Sequence, residues 1–319
     1  MALVFTTDHA WPDDGVERAI IEAAGHQLIS GPRVAAAPEM IDGLIAQHRP
    51  AAIMTCWALV TRQAVLTNPN LKFIQRFGVG LDNIAVDAAT EAGIPVANVP
   101  DYCMEEVSDH AAAMLLAWAR GLFPMDAAVK SGPFLPPPGV RLTRMNTLTI
   151  GVVGYGRIGR LTARKLSGFG ARILSYTRSN SGDDLAPPVS LDHLLALSDV
   201  IVITAPLTPD TRYLFNTARI GAMKPGAFLV NVSRGGLVDN DALIAALAAG
   251  HLSGAGLDVV DGEPNPPKAL TGRADVIASP HSSWNSPSAE AELRTRAAEN
   301  VVRVLAGHPP HNLCNGVPT

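Results

Sequence analysis

Short β-branched runs alternate along the chain with longer Ala- and Leu-rich segments. This alternation predicts a parallel sheet whose strands are buried on both faces and covered by helices. In the first part of the chain it predicts strands over 3–7, 52–55, 73–76 and 95–97, and helices over 15–24, 39–47 and 86–92, the last introduced by Asp82 and Asn83. The pattern breaks at Pro100, and a long helix is predicted over 104–120. Asp101 or Tyr102 stands at its start, Glu105 and Glu106 near the positive end of its dipole, Arg120 in its last turn and Gly121 just past it. The stretch SGPFLPPPG at 131–139 suits neither helix nor central strand and reads as a surface connection.

A second α/β unit follows, with strands predicted over 149–153, 172–176, 200–203, 228–231, 254–258 and 276–278 and helices over 158–169, 191–197 and 240–250. Ser286 followed by Pro287 has the form of an N-cap with Pro at the first helical position, opening a last helix that runs to about Leu305. A chain of 319 residues suits two domains. The expected division is 1–98 plus 286–319 for one domain, completed by the C-terminal helix, and 99–285 for the other.

Composition narrows the function. The formal charge is −4, which argues against a nucleic-acid partner, because a mildly acidic chain gains little from counterion release at a phosphate backbone. Hydrophobic residues make up 47%, enough to bury a real core. No apolar stretch approaches the roughly 20 residues that span a bilayer, so no membrane partner is expected. Cys56, Cys103 and Cys314 lie far apart without a C-x-x-C pair. Neither a disulfide framework nor a metal site is expected, and the anticipated location is cytoplasmic.

The segment TIGVVGYGRIG contains Gly154, Gly156 and Gly159 in G-x-G-x-x-G spacing, between a predicted strand and a predicted helix. Gly154 allows the tight turn, Gly156 lets the backbone approach a pyrophosphate and Gly159 lets the helix sit close to the sheet. Backbone N–H groups near Arg157 and Ile158 then face the phosphates. About 20 residues on, an Asp or Glu would bind the ribose hydroxyls of NAD. Here the strand ends in Thr177, Arg178 and Ser179. A guanidinium pairs with a 2′-phosphate that a carboxylate would repel, so NADP(H) is expected over NAD(H). Three later strand ends carry Arg234, Glu263 and His281, a set able to converge on one small anionic substrate.

Taken with FGVGLDNI at 77–84, AGIPVANVPDY at 92–102, EEVSDHAAAMLLAWAR at 105–120, APLTPDTRYLFN at 205–216, NVSRGGLVD at 231–239, GLDVVDGEP at 256–264 and SPH at 279–281, these residues resemble the NAD(P)-dependent D-2-hydroxyacid dehydrogenase family. That group includes the glyoxylate/hydroxypyruvate reductases. The first 70 residues match only in strand and helix pattern. The resemblance implies an α/β fold of two doubly wound parallel-sheet domains, a flavodoxin-like substrate domain and a Rossmann nucleotide-binding domain, with a cleft between them. It implies that His281 is the general acid, that Glu263 orients its imidazole and stabilises the charged form, and that Arg234 binds the 2-oxo-carboxylate and polarises its carbonyl. The Val79 and Gly80 backbone would hold the substrate carboxylate. Asp258 would contact the nicotinamide carboxamide, while Ala205, Pro206, Thr211 and Val232 would line the cofactor.

Trp284 resembles the glycerate/hydroxypyruvate branch, where it reads either as packing or as a pocket wall restricting substrate size. The expected activity is reduction of a small 2-oxo acid such as glyoxylate or hydroxypyruvate. A second reading is an NAD-linked dehydrogenase of another 2-hydroxy acid or of an unusual donor, since phosphite oxidation also occurs on this scaffold. A third, from another class, is a nucleotide-sensing binding protein like the C-terminal-binding-protein corepressors, which NVPDYCMEEVSDH somewhat resembles. The complete set of Arg234, Glu263 and His281 argues against it. The long helix is apolar around much of its circumference, with Ala111 to Ala113 allowing close approach. A homodimer through the nucleotide-binding domain is therefore expected, as in the family.

Overall fold

Parallel strands form at every β-branched run named above. β1 (Leu3–Thr6), β2 (Gln27–Ser30), β3 (Ala52–Thr55), β4 (Phe73–Arg76) and β5 (Val96–Ala97) make one sheet in the order β2-β1-β3-β4-β5, with every pairing parallel. This is the flavodoxin-like order, whose switch point lies between the first and third strands. Helices α1 (Gly15–Ala23), α2 (Pro38–His48), α3 (Arg62–Leu66) and α4 (Val86–Glu91) alternate with the strands. Ile41 and Ile45 of α2 join Phe5, Ile53 and Ile74 of the sheet in one buried cluster. The structure, a computed structural model, describes the chain except Pro133, Arg141, Asn180 and Thr319. Pro133 of the anticipated 131–139 connection thus lies outside the described residues.

The second unit opens with α5 (Met104–Ala119) and α6 (Leu122–Ser131). It continues through β6 (Thr149–Val153), α7 (Arg157–Ser167), β7 (Arg172–Tyr176), α8 (Leu191–Leu197), β8 (Val200–Ile203) and α9 (Thr217–Gly221). It is completed by β9 (Ala227–Asn231), α10 (Asn240–Ala248), β10 (Leu252–Leu257), α11 (Lys268–Thr271) and β11 (Val276–Ala278). The six strands run in the order β11-β10-β9-β8-β6-β7, all parallel. The chain steps from β6 to β7 on one side and returns to β8 on the other, so the switch point lies between β6 and β8.

The chain divides into Met1–Tyr102 with Ser286–Thr319, and Cys103–Asn285. Specific bonds hold the last segment in the first unit. The Ser286 hydroxyl accepts from the Ala289 N–H and caps α12 (Pro287–Leu305), with Pro287 in its first turn. Arg294 of α12 donates to Glu17 of α1 from Nε and Nη2, both at 2.9 Å. Asn300 donates to Gln75 of β4 at 3.1 Å, and the Asn315 side chain bonds the backbone of Ile94 and Val96 beside β5.

Two helical details depart from the sequence expectation. Helix α5 begins after Cys103, which makes no side-chain cap bond, rather than on Asp101 or Tyr102. The Asp101 carboxylate is paired instead with Arg296 of α12 at 2.7 Å. Gly121 adopts the left-handed conformation anticipated for the residue after α5 (φ +58°), but the chain turns through 59° directly into α6. Pro124 lies in the first turn of α6, where a missing N–H costs little. Among the described residues no single helix is long and apolar enough to cross a membrane.

Candidate functional site

The glycine turn sits at the switch point. Gly154 follows β6 with φ +97°, and a Cβ there would come within 2.4 Å of the Ala205 nitrogen just beyond β8. Gly159, in the first turn of α7, would place a Cβ 2.2 Å from the Gly154 carbonyl oxygen. That oxygen also accepts from the Thr204 hydroxyl at 2.5 Å. Both glycines are therefore required by backbone approach alone. Gly156 differs: a Cβ on it would meet nothing within 4 Å. It is exposed at the N-terminus of α7, where the first turn carries no acid and begins with Arg157 and Ile158. Exposed backbone, open space and unopposed N–H dipoles suit a pyrophosphate, so the residues present fit a dinucleotide.

Tyr155, between the two glycines, is buried, and its hydroxyl donates to Asp183 at 2.8 Å. Arg160 lies over the Tyr155 ring at 4.7 Å and pairs with Asp183 at 3.2 Å. Burial first, then the bond to Asp183, pushes the phenol up to about 12. The pair ties the glycine turn to the loop after β7. In that loop the hydroxyls of Thr177, Ser179 and Ser181 lie 3.0 to 3.3 Å from one another. The Arg178 side chain is 82% exposed and its guanidinium pairs with Asp210 at 3.3 Å. Tyr155, Asp183 and Ser181 were not anticipated. An aromatic residue inside the G-x-G turn was the one visible hint.

The Arg234, Glu263 and His281 loops follow β9, β10 and β11. The Asn231 side chain closes the first of them, donating to the Arg234 carbonyl at 2.9 Å and accepting from the Ser233 N–H at 3.1 Å. Arg234 is half-buried, and its guanidinium donates to the Ser233 carbonyl at 2.7 Å. The next residue, Gly235, would place a Cβ 2.2 Å from the Asp261 nitrogen, so the Arg234 loop abuts the loop carrying Glu263. Glu263 accepts from the Val260 N–H at 2.7 Å through Oε1. Its Oε2 stands 2.7 Å from His281 Nδ1. His281 itself is held in the left-handed region at φ +51°, a conformation that costs a non-glycine residue about 1–3 kcal/mol. The surrounding bonds maintain it: its N–H donates to the Asp258 carbonyl at 2.8 Å, and the Trp284 indole donates to its carbonyl at 3.0 Å. Trp284 therefore fastens the turn.

Asp258 has a wholly buried side chain. Its carboxylate accepts from the Ser279 hydroxyl at 2.7 Å, the Ser282 N–H at 2.9 Å and the Ser283 N–H at 3.1 Å. Elsewhere in the unit, the Thr211 hydroxyl donates to the Pro206 carbonyl at 2.8 Å and accepts from the Thr208 N–H at 2.7 Å. Ala205 and Val232 are buried at the ends of β8 and β9, and Ser233 donates to the Ala205 carbonyl at 2.5 Å. In the first unit, Val79 and Gly80 lie in the turn after β4, where the Asn98 amide donates to the Val79 carbonyl at 2.5 Å. Burial pushes the Cys56 thiol of that unit up to about 12, which makes it a poor nucleophile.

The model of the D-isomer specific 2-hydroxyacid dehydrogenase NAD-binding domain matches residues 112–283. The chain is 37% identical over 278 residues to the glyoxylate reductase of Pyrococcus furiosus, covering 83% of this chain and 82% of that one. A D-lactate dehydrogenase from Aquifex aeolicus, solved with NAD and lactic acid, has a TM-score of 0.88 at 28% identity, covering 99% of this chain and 100% of its own. An NADPH-dependent glyoxylate/hydroxypyruvate reductase from Sinorhizobium meliloti, solved with citrate, has a TM-score of 0.86 at 26% identity, covering 100% and 98%. A family match over more than half the chain, a relative this similar over most of its length and a nucleotide turn of the required shape agree, and the chain belongs to the D-isomer-specific 2-hydroxyacid dehydrogenase family, nicotinamide-dependent oxidoreductases of 2-hydroxy and 2-oxo acids.

Proposed function

We propose that the protein reduces a small 2-oxo acid, glyoxylate or hydroxypyruvate, with NADPH as the preferred reductant. The observation that carries the reading is the bond of 2.7 Å between Glu263 and His281 on a turn pinned from both sides. A bound nicotinamide supplies the hydride. His281 supplies the proton: with Nδ1 committed to Glu263, the proton is delivered from Nε2 to the carbonyl oxygen of the substrate. Arg234 binds the 2-oxo-carboxylate and stabilises charge developing on that oxygen. The Val79 and Gly80 backbone is assigned to the same carboxylate. Gly154, Gly156 and Gly159, with the N–H groups near Arg157 and Ile158, hold the pyrophosphate, and Ala205, Pro206, Thr211 and Val232 line the cofactor. Asp258 is assigned to the nicotinamide carboxamide, through whatever acceptor capacity remains after its three donors. The glyoxylate reductase of Pyrococcus furiosus and the Sinorhizobium meliloti reductase support the substrate assignment.

For the cofactor, Thr177, Arg178 and Ser179 are proposed to bind the 2′-phosphate. The neighbour solved from Sinorhizobium meliloti is NADPH-dependent. The ratio of kcat/KM for NADPH to that for NADH is expected to exceed one, and Arg178→Ala is expected to lower it by about 10- to 150-fold, the value of a charge-assisted contact of roughly 1.5–3 kcal/mol. A wild-type ratio below one overturns the assignment. One observation favours the second reading, NAD(H): Asp210 already offers Arg178 a carboxylate. The lactate dehydrogenase neighbour was solved with NAD.

A homodimer is the proposed assembly. Eight residues of α5, from Val107 to Ala119, are buried within their own unit, so this helix has less apolar surface to offer than its sequence suggests. Exposed apolar side chains do lie on α6 and just beyond it, Leu122, Phe123, Val129, Phe134, Leu135 and Leu142 among them, with Phe134 88% exposed. Exposed apolar side chains this close together in sequence favour a partner of like kind. Light scattering is expected to give twice the 33.5 kDa of one chain, and a monomer at micromolar concentration contradicts the assignment.

A further inference from the structure

We infer that His110, on α5, is a positioning residue for His281, acting through Ser279 and Asp258. The inference rests on the reading of His281 as proton donor. His110 Nε2 lies 2.8 Å from the Ser279 hydroxyl oxygen, and that hydroxyl lies 2.7 Å from Asp258 Oδ1. An ionised carboxylate accepts only, so the serine proton points at Asp258. His110 is then the donor to Ser279, which places a proton on Nε2. The result is a directed chain, from imidazole N–H to hydroxyl to carboxylate. His110 Nε2 and Asp258 Oδ1 are themselves 3.9 Å apart, beyond direct bonding, so Ser279 is the necessary link.

The far end of the chain is the turn that carries His281. Asp258 accepts from Ser279 before that residue and from the Ser282 and Ser283 N–H groups after it, while its own carbonyl accepts from the His281 N–H. A left-handed histidine persists only where its surroundings over-determine it. The three donors to a buried carboxylate provide that constraint, and His110 fixes the rotor of the one donor able to swing away. With His110 removed, the Ser279 oxygen loses the donor that fixes its position, its hydroxyl holds Asp258 less firmly and the turn relaxes. The imidazole then loses its registration on Glu263 without any change in the glycine turn or the loop after β7. The His110 side chain is 29% exposed, so the melting temperature is read beside the rate to separate lost positioning from lost packing.

The test is steady-state kinetics on His110→Ala, His110→Gln, Ser279→Ala and the double variant His110→Ala/Ser279→Ala, with glyoxylate and hydroxypyruvate as substrates. His110→Ala is expected to lower kcat about 10- to 100-fold, the scale of a small misplacement of a reacting group. The KM for the nicotinamide cofactor and the melting temperature should stay near wild type. Gln restores a side-chain N–H and should recover most of the loss. Ser279→Ala breaks the same chain from its other end and should match His110→Ala, and the double variant should be no worse than either single one. Wild-type kcat in His110→Ala, additive losses, or a loss shared with the melting temperature and not recovered by Gln each overturn the inference. An inactive His281→Ala beside an unaffected His110→Ala sinks this inference alone; an active His281→Ala sinks the reading beneath it.

Discussion

His281→Ala is expected to abolish turnover, lowering kcat by about 10²- to 10⁴-fold, while cofactor affinity stays within a few-fold of wild type. The factor is that of a positioned general acid. The selectivity for kcat follows from where the side chain sits. The imidazole bonds Glu263, and the features that fit the dinucleotide, the glycine turn and the hydroxyl loop after β7, are built without it. Quenching or enhancement of nicotinamide fluorescence measures the affinity separately from the rate. Glu263→Gln tests the partner. In the direction of reduction the imidazole must start charged, and the carboxylate at 2.7 Å stabilises that charge. Loss of the anion lowers kcat and leaves the cofactor KM unchanged. Wild-type kcat in Glu263→Gln removes Glu263 from this role, and a His281→Ala variant that keeps a tenth of wild-type kcat removes His281 from its own.

The candidate site residues are legible because the chemistry proposed for them constrains neighbours in sequence. Gly154, Gly156 and Gly159 are readable since a strand, a turn and a helix must follow each other within a dozen positions. Arg234, Glu263 and His281 are readable since doubly wound sheets present ligands at strand ends. Most strands were readable for the same local reason: Val200–Ile203 is apolar throughout and buried throughout. Helices of four or five residues, α3, α9 and α11, were not, because a helical period cannot be counted over one turn. Thr61 and Asn216 do cap α3 and α9 through their side chains, a cue that a search for caps would have found. Strand β2 was missed as a half-exposed edge of four residues. Hidden entirely were pairs made by tertiary contact. Tyr155 with Asp183 and His110 with Ser279 stand 28 and 169 positions apart, and no spacing rule connects them.

The largest such pair predicts the largest loss of stability. Arg294 and Glu17 are 277 positions apart, and their side chains are 7% and 1% exposed. The guanidinium makes two bonds of 2.9 Å to the carboxylate, donates to the Asp13 carbonyl at 2.8 Å, reaches Glu290 at 3.2 Å and lies over the Trp11 ring at 5.1 Å. Arg294→Ala leaves the Glu17 carboxylate buried without its counter-charge, and breaking a buried pair from one side costs about 3–5 kcal/mol. For a unit of this size that lowers the melting temperature by roughly 10 °C or more. Lys keeps the charge but loses the forked geometry and the stacking on Trp11, so Arg294→Lys should fall between Ala and wild type. The charges themselves are dispensable in principle. Glu17→Met combined with Arg294→Leu removes both desolvation costs and fills similar volume, and it should regain most of the stability lost in Arg294→Ala. Thermal unfolding followed by circular dichroism measures all three variants. An Arg294→Ala protein melting within two degrees of wild type would show that the pair contributes nothing. A double variant no better than Arg294→Ala would show that α12 is held to α1 by this geometry rather than by burial.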